Sequence, residues 1–474
     1  MTFNDILTKL NDVMYSYVLI IMLVGVGIYF TIRTKGVQFR LFKDGIKSML
    51  EKTDTDENGN KKVSSFQALM ISTASRVGTG NIAGIATAIA AGGPGAVFWM
   101  WVMALIGGAS AFIESTLAQI YKVKQDGQFR GGPSYYMERA LGKRWMGILF
   151  SILLIICFAY GFNGLQSYNI SSALEYYIED YPNTIWPMVV GIILAVATAF
   201  VIWGGVHRIG FISSVIVPVM ASAYILIGFA TMLINITELP RVFRVIFENA
   251  FDVNAIAGGF AGSAVVIGIK RGLFSNEAGM GSAPNASASA DVDHPVKQGL
   301  VQIISVFIDT LLICSSTAMM LLVSDVEGIS GTLDGIPYVQ AAISSNVGHW
   351  GIHFITFSIF AFAFSSLIGN YYYAESNIMF IKDSKILLNI FRVTCVVAIF
   401  LGAQADFSLV WNLADVTMGF MAIVNIIAIF LLGKVAIKVL KDYEAQKKMG
   451  KNPIFREENI GLSGTVWNDS EMGN

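Results

Sequence analysis

Several polar residues of this chain stand inside otherwise apolar stretches, and their types suit a small zwitterion and a small cation. "TASRVGTGNIAG" (73–84) sets Arg76, three glycines and Asn81 within a hydrophobic run. "IKRGLFSNEAGMGSAPN" (269–285) does the same with Phe274, Ser275, Asn276 and Glu277. A helix interrupted in this way frees N–H and C=O groups that lipid cannot satisfy, at several kcal/mol each. Freed N–H groups at the start of a half-helix carry the positive dipole end and suit a carboxylate. Freed carbonyls suit Na⁺ or an ammonium group, so one interruption can serve an amino acid and an ion together. Close packing through small residues accounts for glycines alone. It does not account for Arg76 and Asn81 beside them. A nucleotide-binding loop is excluded, because the spacing is GxGxxxG with no Lys-Ser/Thr after it and no βαβ setting.

Other buried polar residues point the same way. Asp309 in "SVFIDTLLICSST" lies about a dozen residues into its span, too deep to snorkel. It is either an ion ligand or a protonated helix–helix hydrogen bonder. Ser365 and Ser366 in "FAFSSLIGN" form a hard-oxygen pair, unless each bonds back to its own helix. Glu114, Asn163, Gln166 and Asp415 complete the set, Glu114 near an inner end where it caps or gates. His349 and His353 are spaced i,i+4 near the outer surface, without an evident third zinc ligand.

The elements that must position these residues are transmembrane helices. Of 474 residues, 54% are hydrophobic and 14% charged, with a mean hydropathy of +0.61. The apolar runs are continuous and near the roughly 20 residues that cross a bilayer as a helix. They lack the alternation of a transmembrane β-barrel. Eleven spans are predicted, at about 13–33, 64–91, 95–121, 146–172, 185–206, 210–234, 254–288, 298–323, 350–380, 386–404 and 408–433. Cys157, Cys314 and Cys395 fall in apolar spans and read as small buried hydrophobes, not a disulfide framework. The first segment lacks a basic n-region and a small-residue cleavage site, so it reads as a retained helix. Lys and Arg crowd the segments after spans 1, 3 and 9 and the tail, from Arg33 through Lys52 and Lys61 to Lys62, Lys122 to Arg144, Lys382 and Lys385, and Lys434 to Lys451. The opposite side holds Lys9, Arg241 and Arg244. The positive-inside rule then puts the N-terminus outside and the C-terminus in the cytoplasm. Spans 2 and 7, the interrupted ones, each open a run of five. Since five is odd, the second run is inverted, and matching interruptions in inverted halves point to a transporter's binding site.

The strings that carry these residues resemble a known family. "TASRVGTGNIAGIATAIAAGGPGAVFWMWVMALIGGASAFIESTLAQIYK", "GGPSYYME", "RGLFSNEAGMGSAP" and "FIDT" occur in order across most of the chain and look like the alanine-or-glycine:cation symporters. The resemblance implies an all-α polytopic protein with a ten-helix LeuT-type core, built as a 5+5 inverted repeat behind one extra N-terminal helix. It divides the chain at 1–63 (first helix and basic loop), 64–234 and 235–434 (the two repeats) and 435–474 (cytoplasmic tail). It also implies Na⁺-coupled uptake of a small neutral amino acid across a prokaryotic plasma membrane, with no organic cofactor and no nucleic-acid partner.

Residue by residue, the resemblance implies that the Thr79 and Gly80 amides receive the substrate carboxylate and that Asn81 ligates one sodium. The Phe274 carbonyl takes the ammonium group, with Ser275 near both ligands and Asn276 and Gln166 at the pocket; Gly262/Ser263 is a competing place for the break in span 7. Asp309 completes the first ion site, and Ser365 and Ser366 with the Ala74 and Val77 carbonyls form a second. Arg76 and Glu277 are expected partners in an inner gate. Many members of the family are expected to read Gly-Trp where this chain reads Gly369-Asn370, which leaves a larger amide substrate such as glutamine open. Rival readings are a channel, proton coupling through Asp309, and a membrane enzyme, for which no matched catalytic groups such as HExxH are present.

Overall fold

A computed structural model describes residues 2–51, 62–125, 127–251, 263–324, 326 and 333–468, and it is helical apart from one small hairpin, Val123–Gln125 with Gln128–Arg130. Among the described residues eight helices are long and apolar enough to cross a membrane. These are Phe3–Arg33, Gly95–Ile120, Arg144–Ser172, Phe211–Ile234, Pro295–Leu322, Trp350–Ile381, Lys385–Gly402 and Phe407–Lys448, corresponding to spans 1, 3, 4, 6, 8, 9, 10 and 11. Span 5 is the shorter apolar helix Trp186–Ile202. Span 2 is two half-helices, Ser65–Arg76 (2a) and Thr79–Gly92 (2b).

Boundaries differ from expectation where polar sequence continues a helix beyond lipid. Span 1 begins at Phe3, because a Thr2–Asp5 capping box satisfies its first amides. The span 11 helix runs 42 residues, about 63 Å at 1.5 Å per residue, so its last turns leave any bilayer. Span 7 differs most. Its described helix is Ala264–Asn276, capped by Ser263, followed by an unwound stretch and a single turn, Pro284–Ser287. The expected start at 254 and the alternative break at Gly262 lie outside the described residues, as do Lys52 and Lys61. Within them the chain unwinds directly after "FSNE". Glu277 is left-handed at φ 55°, and Gly279 and Gly281 follow at φ 83° and 88°, a conformation that glycine adopts without strain.

Contacts sort the connecting segments into two faces. On one, Gln125 donates to Asp383, the Phe455 amide to Asp293 O, and Trp467 Nε1 to Gln119 O. On the other, Asn4 meets Ser408, Tyr176 meets His349, and Asn235 meets Asn346. The first face carries the Lys-rich segments.

Candidate functional site

The interruption in span 2 is a two-residue gap. Val77 (ψ 88°) and Gly78 (φ −143°, ψ −142°) leave helical geometry, and 2b restarts at Thr79. The Gly78 amide, which a continuous helix would give to Ala74, donates instead to Asn81 Oδ1 at 3.0 Å. The Thr79 amide donates to Gln166 Oε1 at 3.0 Å, so an amide oxygen stands where a carboxylate oxygen was expected. Gly80 follows within the first turn, whose amides have no carbonyl of their own helix. Thr79 Oγ1 and Trp411 Nε1 are buried without a partner among the described residues. Such orphans are rare in folded proteins, and a polar ligand would satisfy them.

The break in span 7 supplies the opposite polarity. The Ala278 amide turns to Asn276 Oδ1 and the Gly279 amide to Glu114 Oε1. The carbonyls of Phe274 and Ser275 thereby lose the amides that would have met them in a helix. The two breaks touch: a Cβ on Gly80 would lie 2.8 Å from the Phe274 ring. That ring packs on Phe162 at 4.8 Å and Trp411 at 5.3 Å, which sets apolar walls beside the meeting of the breaks.

Two oxygen clusters flank this pocket. In the first, Ser275 Oγ donates to Asp309 Oδ2 at 2.6 Å and Thr310 Oγ1 to the same oxygen at 3.0 Å. Asn81 Nδ2 donates to Asp309 Oδ1 at 2.7 Å. Asp309 sits in a π-helical segment, Ile308–Cys314, and such bulges redirect side chains inside a helix. The hydroxyl and carboxylate oxygens fit a hard cation. Asn81 turns its nitrogen to them, so the amide must rotate to add its oxygen. In the second cluster Ser366 Oγ lies 2.9 Å from Ala74 O, 3.3 Å from Val77 O and 3.1 Å from Phe362 O. A hydroxyl has one proton, so several carbonyl lone pairs converge here unspent, which also fits Na⁺.

The expected residues therefore gather unevenly. Thr79, Gly80, Gln166, Phe274, Asn81, Ser275, Asp309, Ser366, Ala74 and Val77 come together around the breaks. Ser365 bonds back to Phe362 O at 2.8 Å and stays apart from the second cluster. Asn276 caps its own helix end and reaches Thr310. Asn370 accepts from Ser75 at 2.8 Å and donates to Asn163 at 3.0 Å, on the inner side of the gap. Arg76 and Glu277 form no ion pair. Arg76 Nη1 donates to Gln302, while its Nε and Nη2 have no partner among the described residues. Glu277 accepts from Ser282 at 2.6 Å, and its Oε1 lies 3.0 Å from Ser75 Oγ, sharing that hydroxyl's one proton with Asn370. His349 and His353 hold Tyr176 and Tyr177, and no group of three metal-ligating side chains occurs among the described residues.

Sequence reasoning missed Thr310, Thr317, Phe162 and Trp411. Thr317 Oγ1 donates to Asn81 O at 2.6 Å, from the far end of the "SST" string. Trp411 lies one helical turn before Asp415 in span 11, and that spacing was its one available signal. Asp415 takes Arg271 through both oxygens, at 3.1 and 2.8 Å, and Lys270 at 2.6 Å. Asn11 and Tyr15 of span 1 complete this outer cluster.

A family profile described as "Sodium:alanine symporter family" matches residues 1–457. The amino-acid carrier protein AlsT of Bacillus subtilis is 49% identical, with 99% of each chain covered. The probable sodium/glutamine symporter GlnT of the same species is 50% identical over 94% of this chain and 92% of that one. The sodium/alanine symporter AgcS of Methanococcus maripaludis is 35% identical over 95% of this chain and all of that one. Among solved structures, MhsT in complex with L-phenylalanine superposes with a TM-score of 0.51 at 13% identity, covering 88% of this chain and 94% of that one. At that identity the likeness shows the LeuT-type fold.

Proposed function

Because the chain belongs to the sodium:alanine symporter family, we propose a residue-level route for a sodium-coupled amino-acid symporter. It is a multi-pass membrane transporter, not an enzyme, and sodium is its coupling ion. The substrate carboxylate is received by the Thr79 and Gly80 amides, displacing Gln166 Oε1 from the former. The ammonium group is received by the Phe274 and Ser275 carbonyls, and the Phe162, Phe274 and Trp411 rings limit the size of the side chain. Asn81, Ser275 and Asp309 hold one sodium; Ser366 with Ala74 and Val77 holds the second, and Ser365 joins when its rotamer turns. Sodium supplies positive charge that ties the freed carbonyls together across the breaks.

The observation that carries this reading is the meeting of the two breaks at Gly80 and Phe274, with amides on one side and freed carbonyls on the other. Residues 64–234 and 235–434 act as inverted repeats, rocking around that point. The N-terminus is outside and the Lys-rich face is cytoplasmic. Arg76 and Glu277 pair when the inner side rearranges. The substrate is alanine or glycine; Asn370 makes glutamine the second reading, which the resemblance to a probable glutamine symporter favours. Labelled alanine uptake into proteoliposomes, with Na⁺ and pH gradients imposed separately, tests the reading. Accumulation driven by Na⁺ and competed by glycine is expected. Accumulation driven by pH alone would move Asp309 to a proton-carrying role, and competition by glutamine alone would select the second substrate.

A further inference from the structure

The unwound stretch 277–283 has lost its helical ladder, yet its backbone is not left unpaired. Glu114, on span 3, accepts the Gly279 amide on Oε1 at 3.2 Å and the Gly281 amide on Oε2 at 3.1 Å. Asn425, on span 11, donates to Glu114 Oε2 at 2.9 Å and to Gly279 O at 2.9 Å. Tyr136, in the short helix Pro133–Arg139, donates its hydroxyl to Asn425 Oδ1. Glu114, Asn425 and Tyr136 are all fully buried. All three groups facing the Glu114 oxygens are N–H donors, so the acceptor-only carboxylate is the form that fits.

The stretch is also closely covered. A Cβ on Gly281 would lie 2.7 Å from Asn425 Cγ, 2.8 Å from Pro133 and 2.9 Å from Phe150. The inner half of span 7 is therefore pressed against span 11, span 4 and the Pro133 helix, and one carboxylate and one amide hold it there. Glu277, which opens the stretch, is tied to Ser75 beside the span 2 break. A displacement of 277–283 is thereby felt at the binding site.

We infer that Glu114 and Asn425 form a clamp that positions the unwound half of span 7 in its closed arrangement, and that its release is the step that opens the cytoplasmic side. Glu114 reaches the stretch from span 3, Asn425 from span 11, and Tyr136 steadies Asn425 from the Pro133 helix, so loss of any of the three contacts loosens the clamp. The inference rests on alternating access as proposed above. It assigns to Glu114, a residue that touches neither substrate nor ion, a positioning role in translocation.

The test uses full-length protein with a reporter, Ala283→Cys, beside the unwound stretch. Ala283 is fully buried, and the native Cys157, Cys314 and Cys395 are buried as well. In sodium, a membrane-impermeant maleimide applied from the cytoplasmic side is expected to label the reporter slowly. Glu114→Gln places an NH₂ or leaves a single acceptor before two amide donors, and Asn425→Ala removes the bridge. Each is expected to speed labelling at least tenfold from that side only, and the double variant no more than the faster single one. Sodium-dependent binding of labelled alanine stays within about threefold in Asn425→Ala while accumulation falls at least tenfold, a split that misfolding does not give. Unchanged labelling in both variants, or accumulation at the unsubstituted rate, would overturn the clamp. Where Glu114→Gln fails to reach the membrane, Asn425→Ala and Tyr136→Phe decide the question alone. Absence of sodium-driven accumulation in the unsubstituted protein would count against the transport reading, whereas the labelling comparison would still judge the clamp.

Discussion

At the scale of single residues, small side chains carry the most specific consequences. Gly80→Ala forces a methyl into the Phe274 ring, from which a Cβ would stand 2.8 Å. The ring or the half-helix has to shift, so alanine uptake should fall at least tenfold, or about 1.4 kcal/mol. Phe274→Leu in the same chain should recover part of it; the same loss in the double variant would show that the overlap is not the cause. Asn81→Ala removes both the cap on the Gly78 amide and the contact with Asp309. The half-saturating sodium concentration should rise at least tenfold in uptake assays, and apparent alanine affinity should weaken with it through linkage. Wild-type sodium dependence in that variant would remove Asn81 from the ion site. Asp415 is a third case, because it neutralises Lys270 and Arg271 inside the protein. Asp415→Asn takes the anion from buried Arg271 and half-buried Lys270, and removing one partner of a buried pair typically costs about 3–5 kcal/mol. A lowered melting temperature in detergent is the expected result.

At the scale of elements, the broken helices were legible because two features coincide. Glycines interrupt the apolar period, and charged or amide side chains sit beside them, at Arg76 and Asn81 and again at Ser275 to Glu277. Where polar sequence merely extended a helix, as at Phe3 or beyond residue 433, hydropathy stopped too early. The positions of Trp411, Phe162 and Thr317 were not legible. Each is an ordinary residue of an apolar helix until packing turns it toward the pocket, and one sequence holds no record of inter-helix rotation. Arg76 and Glu277 show a further limit: opposite charges near two breaks invite pairing, while in this arrangement hydroxyls and an amide hold them apart. The residues after span 11 form another element with a consequence. His294 is buried between Tyr443 and Phe455, and burial lowers its pKa from 6.5 despite Asp442 and Asp293, while Lys297 adds to the lowering. Docking of the tail therefore favours neutral imidazole. It is fully stabilised above pH 6.5 and weakens as pH falls below that value toward the docked-state pKa. Relative to an unstructured peptide cut under the same conditions, trypsin should cut near Lys447 to Lys451 faster at pH 5.5 than at pH 7.5, and His294→Gln should flatten the difference.

At the scale of the whole molecule, the amides that the breaks release from their helices are met by side chains from elsewhere in the chain. The Thr79 amide rests on Gln166, the Gly78 amide on Asn81, and the Gly279 and Gly281 amides on Glu114. On the route proposed above, Gln166 is then an internal competitor at the amide that receives the substrate carboxylate. Measured affinity is then a difference between two occupants of the same amide, not the full strength of one contact. Such a substitute weakens binding, but it also spares the unloaded protein an orphaned donor on its way back across the membrane. Turnover depends on that return as much as on the loaded stroke. Gln166→Ala should show the exchange directly: tighter binding measured at equilibrium, with net uptake slowed more than exchange of internal for external alanine. On that route the glutamine is a placeholder, and the speed of the return stroke is what it protects.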